Sequence, residues 1–165
     1  MGFENSSYFR VNLPYPSFKI CKKDKHDAAI LLDDYASCCV SEYTTISQYI
    51  YAQMTTSDKC VSKTFLQIAI VEMSHLDMLG RIICDLGVKP KFRSGDCKIW
   101  CSDCVPYGHC TKDRIKLAIK GEYKAIEQYE RHIEKLHNKC IKELLARIIL
   151  DEKLHIKIFK DLLCR

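Results

Sequence analysis

Apolar residues recur every three to four positions over most of the chain, and four such stretches separate cleanly. The first runs from an Asp24 cap to about Met54, with Leu32, Tyr35, Cys39, Glu42, Ile46, Tyr49 and Gln53 on one stripe. After the polar break TTSD (55–58), a second extends to about Leu86 with Phe65, Ile68, Ala69, Glu72, His75, Leu79 and Ile82 or Ile83 inward, ended by Gly87 and Pro90. Thr111 is placed to cap a third, which turns Ile115, Ala118, Ile119, Glu122, Ile126, Tyr129, Ile133 and Leu136 inward. HNK (137–139) precedes a fourth, to about Leu163, with Leu144, Leu145, Ile148, Glu152, His155, Ile156 and Phe159 facing the core.

The connections are short, long, short. Residues 88–110 are too many for a hairpin between neighbouring helices, so the first and third helices run parallel across one crossover. The expected fold is all-α: an antiparallel four-helix bundle over 24–165 with a ferritin-like crossover, preceded by an extended arm, 1–23. The two prolines of NLPYPSF (12–18) hold that arm extended, against a neighbouring subunit or across its own bundle.

Each stripe carries a polar interruption. Glu72 and His75, like Glu152 and His155, are three residues apart and share a helix face, so each pair can hold one metal ion. The other two helices each place one acid inward, Glu42 and Glu122. One Glu from each of two helices and Glu-x-x-His from each of the other two is the donor set of carboxylate-bridged di-iron and di-manganese bundles. Four carboxylates balance two divalent cations, whereas unpaired buried carboxylates each cost several kcal/mol or take up a proton. Oxygen donors with imidazole suit Fe or Mn. Glu127, Glu130 and Glu134 fall off the stripe, and Asp77 and Asp151 flank the motifs on other faces, where solvent is expected.

Composition agrees with this picture. Of 165 residues, 47% are hydrophobic, with only 6 Gly and 4 Pro, which suits long helices around one core. The net charge of +5 is dispersed, so no nucleic-acid partner is expected. With no transmembrane run or apolar leader, no membrane partner and a cytoplasmic location are expected. MGFENS and NSS match myristoylation and N-glycosylation patterns by letter only. Eleven cysteines without a secretory segment read as free thiols in a reducing compartment. Cys97, Cys101, Cys104 and Cys110, with His109, cluster in the crossover, and Cys101 and Cys104 have chelating spacing for an extra Zn or Fe.

IAIVEMSHLDMLGRII (68–83), SEYTTISQYIY (41–51), GEYKAIEQYERHI (121–133) and LLARIILDEKLHIKIF (144–159) resemble the ferritin-like superfamily, in the branch of rubrerythrins, manganese catalases and spore-coat relatives. The resemblance implies two Fe or two Mn ions per chain, with Glu42 and Glu122 as terminal ligands, Glu72 bridging, and His75 and His155 as imidazole ligands. Glu152 would bridge in the rubrerythrin manner or act as a second-sphere acid in the manganese catalase manner, and would be the candidate proton shuttle. Tyr49, seven residues after Glu42, is expected either to hold that ligand or to be an ordinary core tyrosine. Ala125 stands where rubrerythrins carry a further Glu, and Gly121 where manganese catalases carry an Arg.

The implied substrate is hydrogen peroxide or dioxygen, with an electron donor protein where turnover is peroxidase-like, in a homo-oligomer of two or more subunits. Fe(II) oxidation and a structural, spore-coat-like role with a metal site not used for turnover are the alternatives.

Overall fold

Side-chain caps open four of the five α-helices found among the described residues, 8–38 and 40–164, of the computed structural model. Asp24 accepts from the amides of His26 and Asp27 and starts α1 (Lys25–Ala36); Ser41 accepts from Thr44 and starts α2 (Glu42–Thr55). Asp58 caps α3 (Lys59–Asp85) and Asn138 caps α5 (Lys139–Leu163), each filling two otherwise unpaired amides. α4 (Thr111–Lys135) begins after Cys110 without a side-chain cap, so Thr111 is its first helical residue and not its cap.

The helix expected over 24–54 is broken in two. Ser37 and Ser41 are both extended, and the Ser37 carbonyl accepts from the Ser41 hydroxyl at 2.8 Å and the Thr44 hydroxyl at 2.9 Å. Side-chain hydroxyls thus replace the helical amide that would otherwise satisfy this carbonyl. α1 and α2 both pack on α3 and α4, sharing the place of the first bundle helix. Cys39 lies in this break outside the described residues, as do the two N-terminal modification patterns.

α2 pairs with α3, and α4 with α5, as the two most extensive helix contacts. The fold is ferritin-like and all-helical, with one long crossover between α3 and α4. α3 stops in a Schellman turn: Gly87 at φ 90° donates to Cys84, and Val88 to Ile83. None of the described helices is long and apolar enough to cross a membrane.

Two apolar clusters fill the bundle. One holds Tyr49, Phe65, Ile68, Ala118 and Phe159; the other holds Leu31, Leu79, Ile83, Ile126, Leu145 and Ile148. Between them along α3, α4 and α5 sits a layer of buried Glu and His. The crossover lies over the α1–α2 break: Phe92 stacks on Tyr43 at 4.3 Å, Trp100 donates to Thr44 at 2.9 Å, and Cys104 is disulfide-bonded to Cys38. The free-thiol expectation therefore fails for that pair, because the break brings Cys38 beside the crossover.

Gly95 donates to Asp33 at 2.8 Å, and a Cβ there would lie 2.3 Å from the Ala29 carbonyl. Gly95→Ala is expected to lower stability by about 1–3 kcal/mol with helicity unchanged, measured as a shift in the urea midpoint.

Candidate metal centre

Apolar clusters on either side bury the polar layer, and helix register positions its side chains. Glu42 begins α2, Glu72 and His75 share a face of α3, Glu122 projects from α4, and Glu152 and His155 from α5. All six are buried.

They form two overlapping groups of four. Glu42, Glu72, His75 and Glu152 bring one ligand atom each within 4.8 Å of one another, and so do Glu72, Glu122, Glu152 and His155. Glu72 and Glu152 belong to both groups, while Glu42 and Glu122 each belong to one. His75 Nδ1 lies 2.9 Å from Glu72, 3.5 Å from Glu152 and 3.7 Å from Glu42; His155 Nδ1 lies 3.0 Å from both Glu72 and Glu152 and 3.6 Å from Glu122.

The halves are related in sequence as well as in space. Glu42 and Glu122, Tyr49 and Tyr129, Glu72 and Glu152, and His75 and His155 each stand 80 positions apart. The tyrosines cross over: Tyr49 donates to Glu122 at 2.5 Å, and Tyr129 donates to Glu42. Tyr49 therefore does not hold Glu42, as its shared stripe suggested. Seven residues are about 10.5 Å of helix rise, which carries its ring past Glu42 to the opposite pair. Burial and the neighbouring carboxylates push both phenols well above their usual range and keep them as donors.

Behind the histidines lies a shell that sequence reading missed. His155 Nε2 is 2.8 Å from the Phe9 carbonyl, which can only accept, so this nitrogen carries a proton and donates. His75 Nε2 lies 3.1 Å from the Tyr15 hydroxyl and 3.3 Å from Asp151, and Tyr15 donates to Asp151 at 2.7 Å. With Tyr15 donating, His75 Nε2 is the donor in both contacts. The outer nitrogens thus keep their protons, and Nδ1 of each ring is the atom that faces the carboxylates.

Asp151, expected in solvent, is fully buried. Despite that burial, His75, the Val11 amide, Tyr15 and Arg147 hold it well below the usual carboxylate range. Arg147 lies 2.9 Å from Asp151, donates to the Val11 and Leu13 carbonyls, and stacks over Tyr15 at 4.6 Å. The arm thus crosses its own bundle. The i,i+4 pairing of Arg147 with Asp151 was the available signal; its partner, Tyr15, is remote in sequence. Burial and Asp151 push the Tyr15 phenol up to about 12.

Without cations the layer is electrostatically frustrated. Burial, then the Glu72 charge, lifts Glu42 to about 8, and burial with Glu72 and Glu122 lifts Glu152 well above its usual value. Burial opposes ionisation of Glu72 too, but His155 and His75 outweigh it and lower this acid to about 2. Both histidines are raised well above their usual value, burial being overridden chiefly by Glu42 at His75 and Glu72 at His155. Glu72 Oε1 is buried and faces His155 Nδ1 at 3.0 Å. Four acids and two inward imidazole nitrogens, packed this closely away from water, fit two divalent cations. A cavity of about 10 Å3, lined by all four glutamates with Thr45, Ala125, Gln128 and Tyr129, opens beside them and has room for about one water.

The crossover cysteines are only partly brought together. Cys101 and Cys104 lie 3.5 Å apart, with Cys38 3.8 Å from Cys101. Cys97 and Cys110 are exposed and fall outside this group, so the expected set of four does not assemble. Cys97 sits at φ 69° before the Arg93–Ile99 bridge closes, and Cys110 is the α4 N-cap.

A family model described as Rubrerythrin matches residues 36–163. No curated protein matches significantly. Among solved structures, KatB, a manganese catalase from Anabaena PCC7120, is similar with TM-score 0.85 and 20% identity, over 94% of this chain and 78% of that one. A ferritin-like, diiron-carboxylate protein from Bacillus anthracis str. Ames is similar with TM-score 0.63 and 21% identity, over 84% of this chain and 92% of that one.

Tyr15→Phe is expected to leave the fold intact and weaken binding of Mn(II) about 10–100-fold, by loosening His75. Titration against a chelator of known affinity checks this.

Proposed function

This chain belongs to the rubrerythrin family, and on that premise we propose that it holds two iron or two manganese ions and removes hydrogen peroxide. One observation carries the reading: two four-residue donor groups overlap at Glu72 and Glu152, so that six side chains could hold two cations side by side. Glu42, Glu72, Glu122 and Glu152, with the Nδ1 atoms of His75 and His155, would hold the pair. A bound metal pair supplies two-electron redox capacity and Lewis acidity toward an oxygen substrate.

The chain's own groups do the remaining work. Tyr49 and Tyr129 are positioning residues that orient Glu122 and Glu42, and the arm fixes the two imidazoles. The cavity beside the glutamates admits a molecule on the scale of water and excludes bulky organic reductants, which favours a small oxygen species as substrate. Glu152 faces that cavity, where a carboxylate oxygen not given to a cation would take up and return a proton. Ala125 lines the same cavity, where a longer side chain would take up the space.

The test pairs metal analysis with turnover on one sample. About two metals per chain, with oxygen evolved from peroxide, indicates catalase action; peroxide loss only with added reductant indicates peroxidase action. Two metals with neither activity would overturn the peroxide assignment. Fewer than one metal per chain after reconstitution would overturn the centre itself.

Loading is also expected to release protons at pH 7, because Glu42, Glu152, His75 and His155 hold protons above their usual ranges until cations displace them. Affinity should therefore rise with pH through about 8, the value for Glu42, and fall on acidification. Calorimetry in buffers of differing ionisation enthalpy reads the proton count. Tyr49→Phe should lower affinity at the Glu122 half by roughly tenfold, while leaving the Glu42 half little changed.

A further inference from the structure

The crossover carries a second chemistry that the bundle site does not use. Cys38 comes from the α1–α2 break, Cys101 precedes the 3-10 turn Ser102–Cys104, and Cys104 ends it. Cys38 and Cys104 are disulfide-bonded, and Cys101 keeps a free, exposed thiol. That thiol is 3.5 Å from the Cys104 sulfur and 3.8 Å from the Cys38 sulfur, so a nucleophile stands beside both ends of an existing disulfide. The turn holds the arrangement, because the Cys104 amide donates to the Cys101 carbonyl at 3.2 Å.

We propose that Cys38, Cys101 and Cys104 form a thiol–disulfide exchange site in which Cys104 is the sulfur shared between two partners and an external dithiol is the reductant. Cys101 gives its proton to solvent, and its thiolate attacks the Cys104 sulfur. The Cys101–Cys104 bond forms as the Cys38–Cys104 bond breaks; the electron pair leaves on Cys38, which takes up a proton. No net oxidation occurs in this step. A dithiol then reduces Cys101–Cys104 by two further exchanges, ending as a disulfide itself and leaving both cysteines as thiols.

Cys104 is favoured over Cys38 as the point of attack because it is nearer and lies on the same turn as Cys101. The exchange also unties the crossover from the break. Ser37, next to Cys38, accepts the Ser41 and Thr44 hydroxyls, and Trp100, next to Cys101, donates to Thr44. The site therefore abuts the N-terminus of the helix that begins with Glu42. The proposal stands on the proximity of the three sulfurs, which form a triangle, so the exposed Cys101 side chain swings into line with the Cys38–Cys104 bond before it attacks; it is independent of whether the bundle holds metal.

The test uses the full chain, purified without reductant, acid-quenched, alkylated with N-ethylmaleimide and mapped by non-reducing peptide mass spectrometry. Both Cys38–Cys104 and Cys101–Cys104 links are expected in the wild type, with the population shifting as the dithiothreitol redox ratio changes. Cys38→Ser should still form Cys101–Cys104. Cys101→Ser should keep Cys38–Cys104 and be reduced by dithiothreitol about tenfold more slowly. Circular dichroism confirms that the variants fold. The proposal is overturned if Cys38–Cys104 is the sole link in the wild type and Cys101→Ser is reduced at the wild-type rate. It is equally overturned if the three cysteines carry stoichiometric zinc and no disulfide forms among them on oxidation.

Discussion

Four carboxylates and two imidazoles share one water-poor layer, and the rest of the molecule is arranged around the cost of placing them there. Acids so close in a low-dielectric interior repel one another by several kcal/mol unless protons or cations intervene. Apolar clusters on both sides along the bundle axis exclude water from the layer and fix its register. The same clusters make the layer's polarity expensive, which is why a resident pair of cations explains it better than incidental burial does.

Orientation comes from outside the layer. Tyr49 and Tyr129 each reach from one helix pair to a glutamate of the other, so the two halves stabilise each other's acids. The arm breaks this two-fold equivalence. His155 is held by a backbone carbonyl at Phe9, whereas His75 is held by Tyr15 and Asp151, with Arg147 neutralising the latter. The two halves therefore present equal donors backed by unequal electrostatics. The cavity is asymmetric too: Thr45, Gln128 and Tyr129 line it, and the small Ala125 leaves it open.

Much of this was legible before folding was considered. Helical periodicity located three of the four bundle helices to within a few residues, and the Glu-x-x-His pairs with their two single glutamates lay on the inward stripes. Periodicity succeeds here because it reports which face of a helix is buried, and all six residues lie on such faces. It failed at Ser37–Ser41, where hydroxyls compete for backbone carbonyls within an otherwise apolar pattern, and one expected helix became two. It also placed Asp151 in solvent, since a stripe assigns the flanking face to water and cannot register an arm that covers it.

Sequence alone thus determined three of the four bundle helices, the long crossover and the identity of the six inward Glu and His residues, because these follow from local spacing along single helices. Tertiary structure alone decided which tyrosine holds which glutamate, that Tyr15 and Phe9 fix the outer nitrogens of the histidines, and that Cys38 meets Cys104. Those are contacts between residues far apart in the chain, and their partners are chosen by how helices and arm pack, information that no local period contains.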